Sequence, residues 1–303
     1  MPTTMTAYLQ LIRLPNVVTA AADSLAGWLL VGGSSAELGR WLPLVAASMV
    51  LYASGTALND VFDLEVDRLE RPDRPLPSGR VSTRWAVRIG GLGLGLGPAL
   101  ALLSGSPISG IVALILAGCI LAYDAGWKGT PLGPALMGAC RGLNLLLGMT
   151  HAPAMGGPVA WFAAAAYGLF VMGITVVSRS ETRADDPRGF LTGLTIQQLA
   201  ILGLAAAAMA HRLFPGPAPD RPLIPSEGIL VLALVAIVVN VVAARAIRAP
   251  NPRSVQALVK TGILSLVWLE VGLVAAVRGP QPAAMVAALW VPAFILGRWL
   301  YST

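Results

Sequence analysis

The residues best suited to chemistry lie in one stretch, Asn59 to Arg80. Asp60, Asp63 and Asp67 follow one another at intervals of three and four residues. On a helix of 3.6 residues per turn, that spacing puts all three carboxylates on one face, with Asn59 beside them. Anions held together repel unless cations join them. Hard oxygen donors without Cys or His suit Mg²⁺, which leans on one or two carboxylates plus substrate phosphates. Arg68, Arg71, Arg74 and Arg80 come next, and a guanidinium grips phosphate as a planar fork. A solvated loop beside a membrane span is the competing reading. Two features favour a metal–phosphate site: the acids keep a helical spacing, and Asn59-Asp60 stands at the mouth of an apolar helix, where ionisable groups are costly.

Further candidates are scattered along the chain. Tyr123 and Lys128 are able to donate to phosphate oxygens, and Asp124 is placed to orient Lys128. An interfacial Tyr/Trp belt explains the same loop without function. Glu181 and Asp185 are four residues apart and would share a helix face, giving a second acidic loop. Arg141 and Asn144 sit one turn apart in an apolar span, a depth at which polar groups usually face a cavity. Arg141 is either a phosphate ligand or a snorkelling cation. Asn16, just inside the first span, reaches towards the same cavity. Asp23 and Glu270 lie deeper and read either as a proton relay or as hydrogen-bonded structural acids. His151 and His211 are isolated and are not read as ligands.

These residues are carried by a membrane frame. The chain has 303 residues, 56% hydrophobic and 12% charged, against about 25% charge in soluble domains. The expectation is an all-α, polytopic membrane protein, a single domain over residues 1–303. Apolar segments run at about 15–33, 41–61, 84–104, 107–126, 132–151, 158–178, 190–212, 227–248, 255–277 and 283–300. Each is close to the ~20 residues of a spanning helix, which predicts nine to ten transmembrane helices. The Gly91, Gly93, Gly95, Gly97 run points to close helix packing or a bend. No basic region precedes the first apolar stretch, so no cleavable signal is expected. Cys119 and Cys140 lie in apolar spans and read as packing residues. The net charge of +6 is attributed to membrane orientation, and no nucleic-acid motif accompanies it.

Seventeen of the 21 Lys and Arg residues fall in one set of loops, together with both termini. The positive-inside rule makes that set cytoplasmic. The acidic stretch at 60–67 and the loop with Glu181 and Asp185 share that side. The expected location is the inner cell membrane.

Asn59-Asp60-x-x-Asp63-x-x-x-Asp67, followed by Arg74-Pro75-Leu76-Pro77-Ser78-Gly79, resembles the first motif of the UbiA superfamily of intramembrane prenyltransferases. Tyr123 to Lys128 is similar to that family's Tyr-x-x-x-x-Lys loop, and Arg13-Leu14-Pro15-Asn16 to its N-terminal segment. Tyr123-Asp124, the stretch Gly138-Ala139-Cys140-Arg141-Gly142-Leu143-Asn144-Leu145-Leu146-Leu147-Gly148, and Ser178-Arg179-Ser180-Glu181 look like the EboC branch. The resemblance covers about residues 8–277 and leaves a helix at 283–300 as an addition. It implies a ring of nine helices around a central cavity. It also implies Mg²⁺-dependent transfer of a prenyl group from a polyprenyl diphosphate to a small acceptor among membrane lipids. Asn59, Asp60, Asp63 and Asp67 would hold one metal, and Glu181 and Asp185 another. Arg68, Arg74, Lys128 and Arg141 would neutralise the leaving charge, with Tyr123 facing the allyl cation. The second motif is usually richer in Asp than Ser178 to Asp185. A UbiA-type terpene cyclase and a membrane transporter using Asp23 and Glu270 stay open as alternatives.

Overall fold

The computed structural model describes residues 4–179, 187–214, 222, 224–248 and 251–301. Among them there are helices and turns and no strand. A chain in lipid must satisfy its backbone polar groups internally, and a helix does so within one segment. The helices are α1 (Thr4–Leu11), α2 (Leu14–Leu30), α3 (Leu38–Phe62), α4 (Leu64–Glu70), α5 (Thr83–Leu102) and α6 (Pro107–Asp124). They continue with α7 (Gly133–Gly148), α8 (Gly157–Arg179), α9 (Pro187–Met209), α10 (Ser226–Arg248), α11 (Pro252–Arg278) and α12 (Pro280–Tyr301).

Among the described residues, eight helices are long and apolar enough to cross a membrane: α3, α5, α6 and α8 to α12. The segments expected at 15–33 and 132–151 form α2, with 17 residues, and α7, with 16. Both are shorter than a full span. Proline opens α2, α6 and α7 within their first turns, where its missing N–H costs nothing.

From α5 onward each helix packs on the next, while α2 touches α3, α7, α11 and α12. Accordingly α2 is buried continuously from Thr19 to Leu30. Its close approach to α7 depends on two glycines. A Cβ on Gly27 would lie 2.0 Å from the Leu145 carbonyl oxygen, and one on Gly148 would lie 2.0 Å from that of Ser24. This contact brings Asp23 of α2 against Arg141 and Asn144 of α7. In α5, Gly90, Gly93 and Gly97 pack on α3, while Gly91 and Gly95 face open space.

Candidate active site at the mouth of a helical cavity

A cavity of about 510 Å³ lies among α3, α6 and α7. The helical period selects its walls. From α3 come Ser48, Tyr52, Gly55, Thr56 and Asn59; from α6, Leu116, Ile120, Tyr123 and Asp124; from α7, Met137, Cys140, Arg141 and Asn144. Each set repeats at three- and four-residue steps, so one face of each helix is spent on the cavity. One end is charged: Arg13, Asp63, Arg71, Arg74 and Lys128 stand there with Asn59, Asp124 and Ser178.

The acidic stretch does not form one continuous helical face. The helix breaks at Asp63, whose φ of −89° and ψ of 0° separate α3 from α4. The carboxylates therefore divide between two sets of partners, with Asp60 and Asp67 sharing Arg74 and Asp63 turned to Lys128. Asp60 accepts a hydrogen bond from Arg13 at 3.0 Å and lies 3.5 Å from Arg74. Asp67 pairs with Arg74 at 2.6 Å. Asp63 is ion-paired with Lys128 and accepts a bond from the Asn59 amide at 3.2 Å. Asp60 and Asp67 are buried, and Arg13 and Arg74 line the cavity in front of them.

Local structure aims these cations. Arg13 has a φ of 51°, in the left-handed region that a non-glycine residue seldom adopts. This turn between α1 and α2 directs its guanidinium at Asp60. Lys128 sits in a 3₁₀ turn, Trp127–Gly129, after α6. Arg179, at the end of α8, donates to the Lys128 carbonyl and, at 2.9 Å, to that of Thr130. The Lys128 loop is thereby braced from a third helix.

Deeper in, Asp23 is fully buried and heavily bonded. It accepts from Arg141 at 2.8 Å, Asn144 at 2.9 Å and Tyr167 at 2.7 Å. Arg141 also donates to Thr19 at 3.1 Å and lies over the Tyr52 ring at 4.8 Å. Both terminal nitrogens of Arg141 are thus engaged within the protein. Burial of Arg141 excludes snorkelling, while its side chain still lines the cavity.

The other candidates are placed as follows. Tyr123 lines the cavity. Arg68 bonds Glu65 at 2.7 Å with 55% of its side chain exposed, and it does not line the cavity. Asn16 lies in the first turn of α2; its backbone carbonyl accepts from Thr19, and its side chain is not on the cavity wall. Glu181 and Asp185 lie outside the described residues. Sequence reading passed over Tyr52, although it precedes Asn59 by seven residues on the same helix face, a detectable period. It also passed over the partnership of Arg13 with Asp60, for which no local signal exists.

Among the described residues, no three His, Cys, Asp or Glu side chains converge as a metal cage. Mg²⁺ does not require one, because one or two carboxylates plus substrate phosphates suffice. Asn59 and Asp63 supply hard oxygens on the cavity wall, with Asp60 one turn before Asp63, so the donor chemistry fits Mg²⁺.

A digeranylgeranylglyceryl phosphate synthase from Methanopyrus kandleri is 41% identical over 160 residues, covering 50% of this chain and 56% of that protein. The chain thus spans about half the length of such relatives. A UbiA homolog from Aeropyrum pernix K1 shares the fold, with a TM-score of 0.67 at 19% identity over 86% of this chain and 97% of that one. A UbiA homolog from Archaeoglobus fulgidus, bound to DMAPP and Mg²⁺, gives a TM-score of 0.51 at 16% identity over 95% and 98%. Residues 22–261 match the UbiA prenyltransferase family, and the chain belongs to that family.

Proposed function

We propose that the protein transfers a prenyl group from a polyprenyl diphosphate to a small acceptor within the membrane, in a Mg²⁺-dependent reaction. The observation that carries this reading is the charged end of the cavity. Cations and carboxylates alternate there, directly above walls made by Leu116, Ile120 and Met137. A diphosphate with a long apolar tail has the same two-part character.

Asn59, Asp60 and Asp63 would hold the metal, with Asp67 supporting Arg74; Glu181 and Asp185 are assigned to a second metal. Bound there, Mg²⁺ supplies charge neutralisation of the leaving diphosphate. Lys128, Arg13 and Arg74 exchange a carboxylate for a phosphate oxygen and hold the diphosphate in place. Lining side chains of α6 and α7 keep water from the allylic carbon, and Tyr123 faces the charge that develops there. The tail lies along the apolar wall.

For the acceptor we follow the relatives, whose name indicates a glyceryl phosphate. Placement near the EboC branch rests on Tyr123-Asp124, on Arg141 and Asn144, and on Ser178-Arg179. The whole chain is read as one UbiA-like domain of nine to ten transmembrane helices in a ring, α12 being the addition, with the charged end and both termini cytoplasmic. Of the two acids on which transport would rest, Asp23 is committed to three internal donors.

The test uses purified protein in lipid nanodiscs with Mg²⁺ and geranylgeranyl diphosphate, with and without geranylgeranylglyceryl phosphate. Acceptor-dependent diphosphate release with a new ether lipid is expected. Release that ignores the acceptor and yields a cyclic hydrocarbon would favour the cyclase. No release with any chain length would reject both.

A further inference from the structure

Asp60, Asp63 and Asp67 each face an Arg or Lys. Asp124 does not. It is 4% exposed and lines the cavity. Its Oδ2 is buried with no hydrogen-bond partner, and neither carboxylate oxygen is bonded or ion-paired among the described residues. Lys128, one turn further on, is engaged with Asp63 instead. A buried carboxylate left without a partner is costly unless something brought to the site completes it.

We propose that Asp124 is the base that deprotonates an alcohol acceptor during prenyl transfer. This rests on the prenyl-transfer reading above and names the acceptor group as a free hydroxyl. The carboxylates opposite guanidinium or ammonium groups already hold their charge against a cation. Asp124 alone among them is open to a hydroxyl donor. As the acceptor oxygen bonds to the allylic carbon, the carbon–oxygen bond to diphosphate breaks and its electron pair leaves with the diphosphate. The hydroxyl proton passes to the Asp124 carboxylate. The products are an ether, diphosphate and protonated Asp124, which returns its proton to water after release. Tyr123 beside it, and Thr56 and Asn59 on α3, line the same cavity and make its wall polar enough for a hydroxyl acceptor.

The experiment separates proton removal from diphosphate departure. Wild type and Asp124→Asn are assayed near pH 8.5 with geranylgeranyl diphosphate and Mg²⁺. The acceptors are geranylgeranylglyceryl phosphate, its analogue with thiol in place of hydroxyl, and none. A thiol with a pKa of about 8.5 is about half ionised there and has less need of a base. Asp124→Asn should transfer to the alcohol about 10²-fold more slowly, lose under about tenfold with the thiol, and bind a non-ionising geranylgeranyl thiolodiphosphate within about threefold of wild type. Asp124→Glu keeps a carboxylate and should recover at least about a tenth of alcohol transfer. It decides the matter if the Asn variant unfolds at a lower temperature. Equal losses with alcohol and thiol, no loss with either, parallel loss of thiolodiphosphate binding, or no recovery in Asp124→Glu would each overturn the assignment. Wild type that releases no diphosphate sinks the prenyl-transfer reading itself, and this one with it, before any variant is compared.

Discussion

The charged end of the cavity and the buried knot around Asp23 use the same residue types to opposite ends. At the charged end, Asp60, Asp63 and Asp67 each meet one or two cations, and those cations stay partly accessible: Lys128 is 25% exposed and Arg74 26%. A phosphate oxygen can replace a carboxylate as their partner with little rearrangement. In the knot, Asp23 takes bonds from three donors on two helices, α7 and α8, and each terminal nitrogen of Arg141 already has a partner. Exchange there would strand a buried charge. In this bundle accessibility, rather than charge itself, separates the proposed substrate contacts from scaffold.

Substitutions can break that contrast. The largest effect is expected in the knot. Asp23→Ala leaves Arg141 buried without its counter-ion and should cost about 3–5 kcal/mol, read as a marked fall in the thermal unfolding midpoint. Lys128→Ala should leave that midpoint nearly unchanged and slow Mg²⁺-dependent diphosphate release about 10²–10³-fold, or about 2.7–4 kcal/mol in the barrier. Arg68→Ala removes an exposed pair worth at most about 1 kcal/mol. Neither its stability nor its turnover should move measurably. If Arg68→Ala were as damaging as Lys128→Ala, the boundary drawn around the site would be wrong.

Several features were legible in the sequence. Apolar runs placed α6 and α10 within about two residues, because lipid demands a long, uninterrupted helical run. Residues Asn59 to Asp67, Tyr123 and Lys128 were legible because their chemistry is local and their spacing periodic. The break at Asp63 was not. Asp60-Val61-Phe62-Asp63-Leu64-Glu65 holds no Gly or Pro, and the break coincides with the contact between Asp63 and Lys128, 65 residues away. The knot was equally hidden. Asp23 and Arg141 are 118 residues apart, and each alone reads as either function or scaffold. Only the meeting of α2 and α7 through Gly27 and Gly148 decides between those readings.

The central claim is that the carboxylates and cations at the charged end seat a magnesium-bound diphosphate. Equilibrium binding of a non-ionising geranylgeranyl thiolodiphosphate, with and without Mg²⁺, to wild type and Asp63→Ala tests it most directly. The account predicts that removing Mg²⁺ or the Asp63 carboxylate each weakens binding by about 10²-fold, about 2.7 kcal/mol, and that together they weaken it little further. Binding that ignores both Mg²⁺ and Asp63 would contradict it.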